Sequence, residues 1–137
     1  MSTHSPKTLQ IVVEPVPARD ITLLRLSGPL DSRTDRQLEQ ALQAFFKQGL
    51  YKIILDLNEV PHISSAGCSV LVNALAEAQS HHGDIVFIHL NEATCGTALK
   101  LIGLWDILKI AENLTLALTL FGHASSSSLG KAVGGES

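Results

Sequence analysis

Aromatic side chains are scarce in this sequence, at 4% of its 137 residues. Its core must therefore be built from Leu, Ile, Val and Ala, which suits aliphatic strands packed against aliphatic helix faces. Cysteine is scarcer still: Cys68 and Cys95 are the only two. Two cysteines make no disulfide framework, and Cys68 lies in an apolar helical run, so buried thiols are expected. Basic residues are scattered from Lys7 to Lys131, and the formal net charge is -3. Binding a nucleic-acid duplex takes clustered cations that displace counterions, so no direct nucleic-acid contact is expected. No apolar run approaches the ~18–20 residues of a membrane-spanning helix, and Met1 to Gln10 carries no apolar signal core. These absences point to a cytoplasmic chain without membrane insertion.

What is present is one domain's worth of alternating elements. With 45% hydrophobic and 17% charged residues, the chain reads as globular and long enough for a single core. Residues 1–8 read as a flexible start, 9–122 as the domain, and 123–137, with Ser125 to Ser128 and a Gly-rich end, as a disordered tail. Leu9 to Glu14 has strand composition and ends at Pro15 and Pro17. Ile21 to Ser27 alternates as a second strand, and a short connection makes the two a hairpin. After Gly28-Pro29-Leu30-Asp31-Ser32, with Ser32 or Thr34 as a cap, Leu38, Leu42, Phe45 and Phe46 fall at helical spacing, and Gly49 stops the helix. Tyr51 to Leu57 is nearly all apolar, as in a central strand buried on both faces. A second helix follows Ser64-Ser65, using Cys68, Leu71, Val72, Leu75, Ala76 and Ala78, and ends near His81-His82-Gly83. Ile85 to Leu90 is the fourth strand. A helix over about 93–101, a short strand over 107–110 and a last helix opened by Glu112 or Asn113 complete the order. The expected fold class is α/β, a mixed sheet of four to five strands with about four helices.

Reactive residue types do not fall into catalytic patterns. Of six histidines, His4 and His123 lie in the terminal segments, and His81 and His82 are adjacent at a helix end. No His-Glu-x-x-His or Cys-x-x-Cys spacing offers a metal site. Ser65 is not in a Gly-x-Ser-x-Gly elbow, because Ile63 stands at the first glycine position. No phosphate-cradling Gly-Lys-Ser/Thr loop is present. A non-enzymatic protein without metal or cofactor is expected. Trp105, Leu104 and Ile107 read as core.

The element order, the Gly28-Pro29-Leu30-Asp31 turn, the Ile54-Leu55-Asp56-Leu57 strand and the Ile63-Ser64-Ser65-Ala66-Gly67 segment together resemble a STAS domain. The run from Ala98 to Leu108 is similar to the family's C-terminal pattern, an apolar helix closed by Gly-Leu. The resemblance covers about Leu9 to Phe121, and a chain of this size resembles the anti-sigma-factor antagonists. It implies a partner switch. The unphosphorylated protein would bind an anti-sigma factor that is also a serine kinase of the histidine-kinase-like ATPase fold. Phosphorylation would release it, and a serine phosphatase would reset the cycle. The family's pattern is Asp-Ser-Ser/Thr-Gly, with the modified serine after the Asp. Aligning Gly67 on its glycine puts Ser65 on the phosphoserine, with Ser64 in the place of the Asp and Ala66 in that of the second hydroxyl residue. Ser64 is the adjacent alternative acceptor. The resemblance also implies that Asp31 lies near the serine loop and contributes to kinase contact. The rival within the family is a constitutive interaction subunit, in a stressosome-like scaffold or a lipid-transporting ABC system.

The serines have a physical reading of their own. A loop leaving a central strand puts Ser64 and Ser65 at a helix start, where the first amides lack intrahelical acceptors. Either hydroxyl can cap there, and the same end tolerates added negative charge. Phosphorylation would add about -1.5 to -2 charges, to be felt at an interface rather than in the fold. Asp31, Ser64, Ser65 and Gly67 are the expected partner-binding residues, with Gly67 permitting close approach of another backbone. Asp31 reads otherwise as a turn carboxylate, and Asp56 as an acceptor orienting a loop. The oligomeric state is open.

Overall fold

The structure, a computed structural model, describes residues 9–18, 20–90, 99–100, 103 and 108–121. Five strands form one sheet in the order of the chain: β1 (Gln10–Glu14), β2 (Ile21–Ser27), β3 (Lys52–Glu59), β4 (Asp84–Ile88) and β5 (Lys109–Ala111). The first two pair antiparallel, as the hairpin reading required, and the rest run parallel. The intervening helices are α1 (Asp35–Lys47) and α2 (Ser65–Ser80), and α3 (Leu114–Leu120) follows β5. The expected helix over 93–101 falls almost wholly outside the described residues, as do Cys95, Leu104, Trp105 and Ile107. The short last strand begins at Lys109 rather than 107.

Each parallel step moves one place along the sheet, and crossovers of one hand then put successive helices on one face. Leu38, Leu42 and Phe46 of α1 and Cys68, Leu71, Ala74, Leu75 and Ala78 of α2 accordingly bury with Ile53, Leu55 and Leu57 of β3 and Leu24 and Leu26 of β2. The opposite face carries Ile21, Leu23, Ile54, Val86, Ile88 and Ala111, covered by Ala117 of α3 and by Val16, Ala18 and Phe121. Thus β3 is buried on both sides, as its unbroken apolar run implied. Full burial of one such aliphatic side chain contributes about 1.5–3 kcal/mol, and this double-sided layer fixes β3 as the frame on which its following loop rests.

Local sequence sets the ends of the elements. Gly49, with φ of +82°, lets its own N–H reach Phe46 O at 2.9 Å and the Leu50 N–H reach Phe45 O at 3.0 Å, the paired bonds that close a helix C-terminus. After α2 the same bonds form, but His82 holds the left-handed position at φ of +65°. Gly83 is needed for another reason: a Cβ there would stand 2.1 Å from Tyr51 O. Two expectations are corrected. Thr34 occupies the N-cap position of α1 without capping it through its side chain. Its hydroxyl is already engaged, donating to Pro29 O at 2.7 Å and accepting from Asp31 N at 3.1 Å. In α2 the buried stripe runs through Ala74, whereas Ala76 is exposed and Val72 half-buried.

Candidate functional site

The loops after β2 and β3 leave the same end of the sheet, the carboxyl edge of the parallel strands, where sites gather in such folds. They do not diverge. The β2–β3 register shifts at a bulge between Arg25 and Ser27, and pairing then resumes beyond the strands. Gly28 N donates to Glu59 O at 3.0 Å, Leu30 N to His62 O at 3.1 Å, and Ser64 N to Leu30 O at 2.9 Å. Leu30 and Ile63 form a parallel bridge, both buried. This ladder joins the loop carrying Asp31 to the loop carrying Ser64, and Thr34 ties its other side to Pro29.

Gly67 closes the junction from within. It is buried in the first turn of α2, and a Cβ on it would stand 2.7 Å from Leu30 O and 2.8 Å from Leu30 Cγ. The backbone whose close approach it permits is that of its own chain. Only a residue without a side chain lets α2 start against the Leu30 strand.

The two serines have different environments. Ser64 is the N-cap of α2, with extended backbone (φ -86°, ψ 174°), and its Oγ accepts from Gly67 N at 3.3 Å. Ser64 O accepts from Cys68 N as the first intrahelical bond. Ser65 is the first helical residue and is exposed, and its hydroxyl makes no hydrogen bond among the described residues. One hydroxyl is committed to holding the helix start and the other is open to solvent. Both sit where the unpaired amides of α2 favour negative charge.

Beside them lies a carboxylate under two basic side chains. Asp31 is 8% exposed. Its Oδ1 accepts from Arg33 N at 2.9 Å, its Oδ2 accepts from Arg33 Nη2 at 2.7 Å, and His62 Nε2 lies 3.8 Å from Oδ2. The Arg33 side-chain hydrogen bonds, then its backbone N–H, hold the Asp31 carboxyl well below the usual carboxylate range, at about 2. Arg33 is correspondingly raised by the same pairing. Asp31 is thus a turn carboxylate and a neighbour of the serine loop at once. Arg33 and His62 are both exposed and had no motif to single them out. The signal available in sequence was only their nearness to Asp31 and Ser65.

Asp56 sits on the opposite face of β3. It is 5% exposed, accepts from Asn58 N at 3.0 Å, meets His89 Nδ1 at 3.1 Å and faces Arg25 Nε at 3.8 Å. It orders the β3 and β4 ends, the acceptor role its place in the strand suggested. Away from the serine loop, a cavity of about 30 Å³ lies between α1 and α2, lined by Leu42, Val70 and Ala74 and bridged by Gln43 and Glu77. Among the described residues no cluster of His, Cys, Asp and Glu could hold a metal ion, and no helix is long and apolar enough to cross a membrane.

The STAS domain family matches residues 13–117 of the chain. The chain is 27% identical over 99 residues to BtrV of Bordetella bronchiseptica, named as an anti-sigma factor antagonist, covering 72% of this chain and 84% of that protein. Its fold is similar to that of the crystal structure of an anti-sigma factor antagonist from Thermotoga maritima, with a TM-score of 0.73 and 25% identity over 80% of this chain and 92% of the other. The Bacillus cell fate determinant SpoIIAA, solved in its phosphorylated form, shares the fold at a TM-score of 0.61 and 18% identity, over 82% of this chain and 99% of its own.

Proposed function

We propose that this chain, which belongs to the STAS domain family, is an anti-sigma-factor antagonist whose binding is switched by phosphorylation of Ser65. In the unphosphorylated state it binds an anti-sigma factor that is also a serine kinase of the histidine-kinase-like ATPase fold, freeing a sigma factor for transcription. Phosphate on Ser65 releases that partner, and a serine phosphatase restores binding. The observation that carries this reading is the open hydroxyl of Ser65 at the first turn of α2, beside the Ser64 hydroxyl already occupied by Gly67 N. Similarity to named antagonists gives the partner class, and a phosphorylated form exists for a protein of the same fold.

The mechanism needs no refolding. The serine loop hangs on a doubly buried strand and on the ladder to Leu30. New charge at the helix start is compatible with the α2 amides. It is incompatible with a partner surface that must dry over the same spot, because desolvating a dianion there costs several kcal/mol. Asp31, Ser64 and Ser65 form the contacted surface, and Gly67 supports it from below.

The test is affinity capture from the native lysate with wild type and Ser65→Asp as baits, with thermal unfolding measured on both. The expected result is an ATPase-fold kinase retained by wild type and lost by Ser65→Asp, at closely similar unfolding temperatures. Ser65→Ala should keep the partner and resist the kinase. Equal recovery of transporter or scaffold proteins by both baits would replace the switch with a constitutive subunit.

A further inference from the structure

The exposed end of the two joined loops carries more donor capacity than Asp31 uses. Arg33 spends Nε, at 3.4 Å from Oδ1, and one N–H of Nη2, at 2.7 Å from Oδ2, on that carboxylate. A guanidinium has five N–H donors in a rigid fork, so the Nη1 edge stays open among the described residues. His62 Nε2 stands 3.8 Å from Oδ2, beyond hydrogen-bond length, with its side chain 55% exposed.

The ladder brings the loops that carry these groups together. Leu30 and Ile63 are partners and both face the core. Asp31 and Ser64 follow these two partners directly, and His62, which precedes Ile63, reaches to 3.8 Å from the Asp31 carboxylate. Ser65 follows Ser64 directly, at the open amides of α2, three residues after His62 and on the loop that these bonds join to the one carrying Arg33.

Taking Ser65 as the phosphoacceptor, as read above, we infer that Arg33 and His62 form a cradle for the phosphate, with Asp31 as the anchor that holds Arg33 in place. Arg33 then bridges carboxylate and phosphate, its Nε–Nη2 edge on Asp31 and its adjacent Nη1–Nη2 edge toward the phosphate, a fork suited to bidentate contact. Modification does more than add charge: it draws the Arg33 guanidinium and the His62 imidazole inward and removes them from the surface offered to a partner. Arg33 and His62 are positioning residues of the switched state, and Asp31 acts through Arg33.

The test installs phosphoserine at position 65 of the full chain during translation and follows the phosphate by 31P NMR against pH. The same chain unfolded in urea is the reference, with a second ionisation near ~6. The folded phosphoprotein is expected to ionise about half a unit lower or more, since a nearby cation favours the charged form. Arg33 Nε–Hε and His62 ring signals should shift between the unmodified and modified chains. Arg33→Gln and His62→Gln should each return part of the depression, and the double variant most of it. Arg33→Lys, which keeps charge without the fork, should fall between. An identical ionisation in the wild type and the double variant would overturn the cradle and leave the α2 amides as the whole effect. This readout needs no kinase or partner, so its failure is separate from a failure of the switch itself.

Discussion

Replacing Gly67 by Ala sets two effects of opposite sign against each other. Alanine is the better helix former, by roughly 0.5–1 kcal/mol over glycine inside a helix. Against this, the new methyl would stand 2.7 Å from Leu30 O, 2.8 Å from Leu30 Cγ and 3.2 Å from Ile63 Cγ2. The nearest of these cannot yield freely, because Leu30 O is the acceptor for Ser64 N at 2.9 Å, the bond that joins the two loops. Leu30 itself is fully buried. Forcing an extra methyl into such a contact costs about 1–3 kcal/mol, occasionally more. The overpacking term exceeds the helix term, leaving a net loss of about 1–2 kcal/mol. For a domain of this size that lowers the midpoint by about 4–10 °C. Urea and thermal unfolding followed by far-UV circular dichroism read this directly, and partner capture should weaken with it because the Asp31 and Ser65 loops separate. A variant as stable as wild type, or more so, would refute the reasoning, since helix propensity alone predicts that gain.

Ser64→Ala should cost about 1 kcal/mol by urea unfolding, the usual loss of a serine N-cap, while leaving Ser65 phosphorylatable as shown by phosphopeptide mapping. The Asp31 carboxyl is lowered from 3.8 to about 2, so it binds a proton more readily in the unfolded chain. Its stabilising share is complete above about pH 4 and is lost as pH falls toward 2. Unfolding midpoints between those values should fall more steeply in wild type than in Asp31→Asn, and equal slopes would contradict the Arg33 pairing.

The sheet was legible because its strands have unambiguous patterns. Ile21, Leu23 and Arg25 alternate with Leu24 and Leu26, and the two sets do face opposite sides of the sheet. Tyr51 to Leu57 read as doubly buried from its composition alone. The face of α2 was harder to read because the helix is apolar nearly all round: Ala74 and Ala76 are chemically alike, and packing against the sheet decides between them. Thr34 was misread as a side-chain cap because its competing partner, Pro29 O, is five residues back and approaches only through the turn. Turn closure at His82 rather than Gly83 was likewise hidden, since Gly83 is reserved for the contact with Tyr51, far away in sequence. At the site, the position of Ser64 and Ser65 at a helix start was legible. The Arg33 and His62 contacts were not, because they depend on the bulge that brings two loops into one ladder.

Ser64 in place of an aspartate has a consequence that follows from this geometry. An N-cap needs only an acceptor oxygen, and Ser64 supplies it to Gly67 N without charge. The two joined loops therefore hold one carboxylate, Asp31, and that carboxylate is already matched by Arg33. A second carboxylate at position 64 would cap equally well but leave the surface net negative, and phosphate on Ser65 would then add to like charge. With Ser64 the Asp31 charge is balanced by Arg33, and a phosphate on Ser65, as proposed, would enter beside an open guanidinium edge and an imidazole. The departure from the family's motif thus keeps the structural role of the position and changes its electrostatic one. On the proposed switch, the resting face would be less acidic toward the partner, and the modified face better compensated from within the chain. If Arg33 and His62 cradle the phosphate as inferred, the change in contact surface between the two states would arise as much from those two side chains as from the phosphate itself.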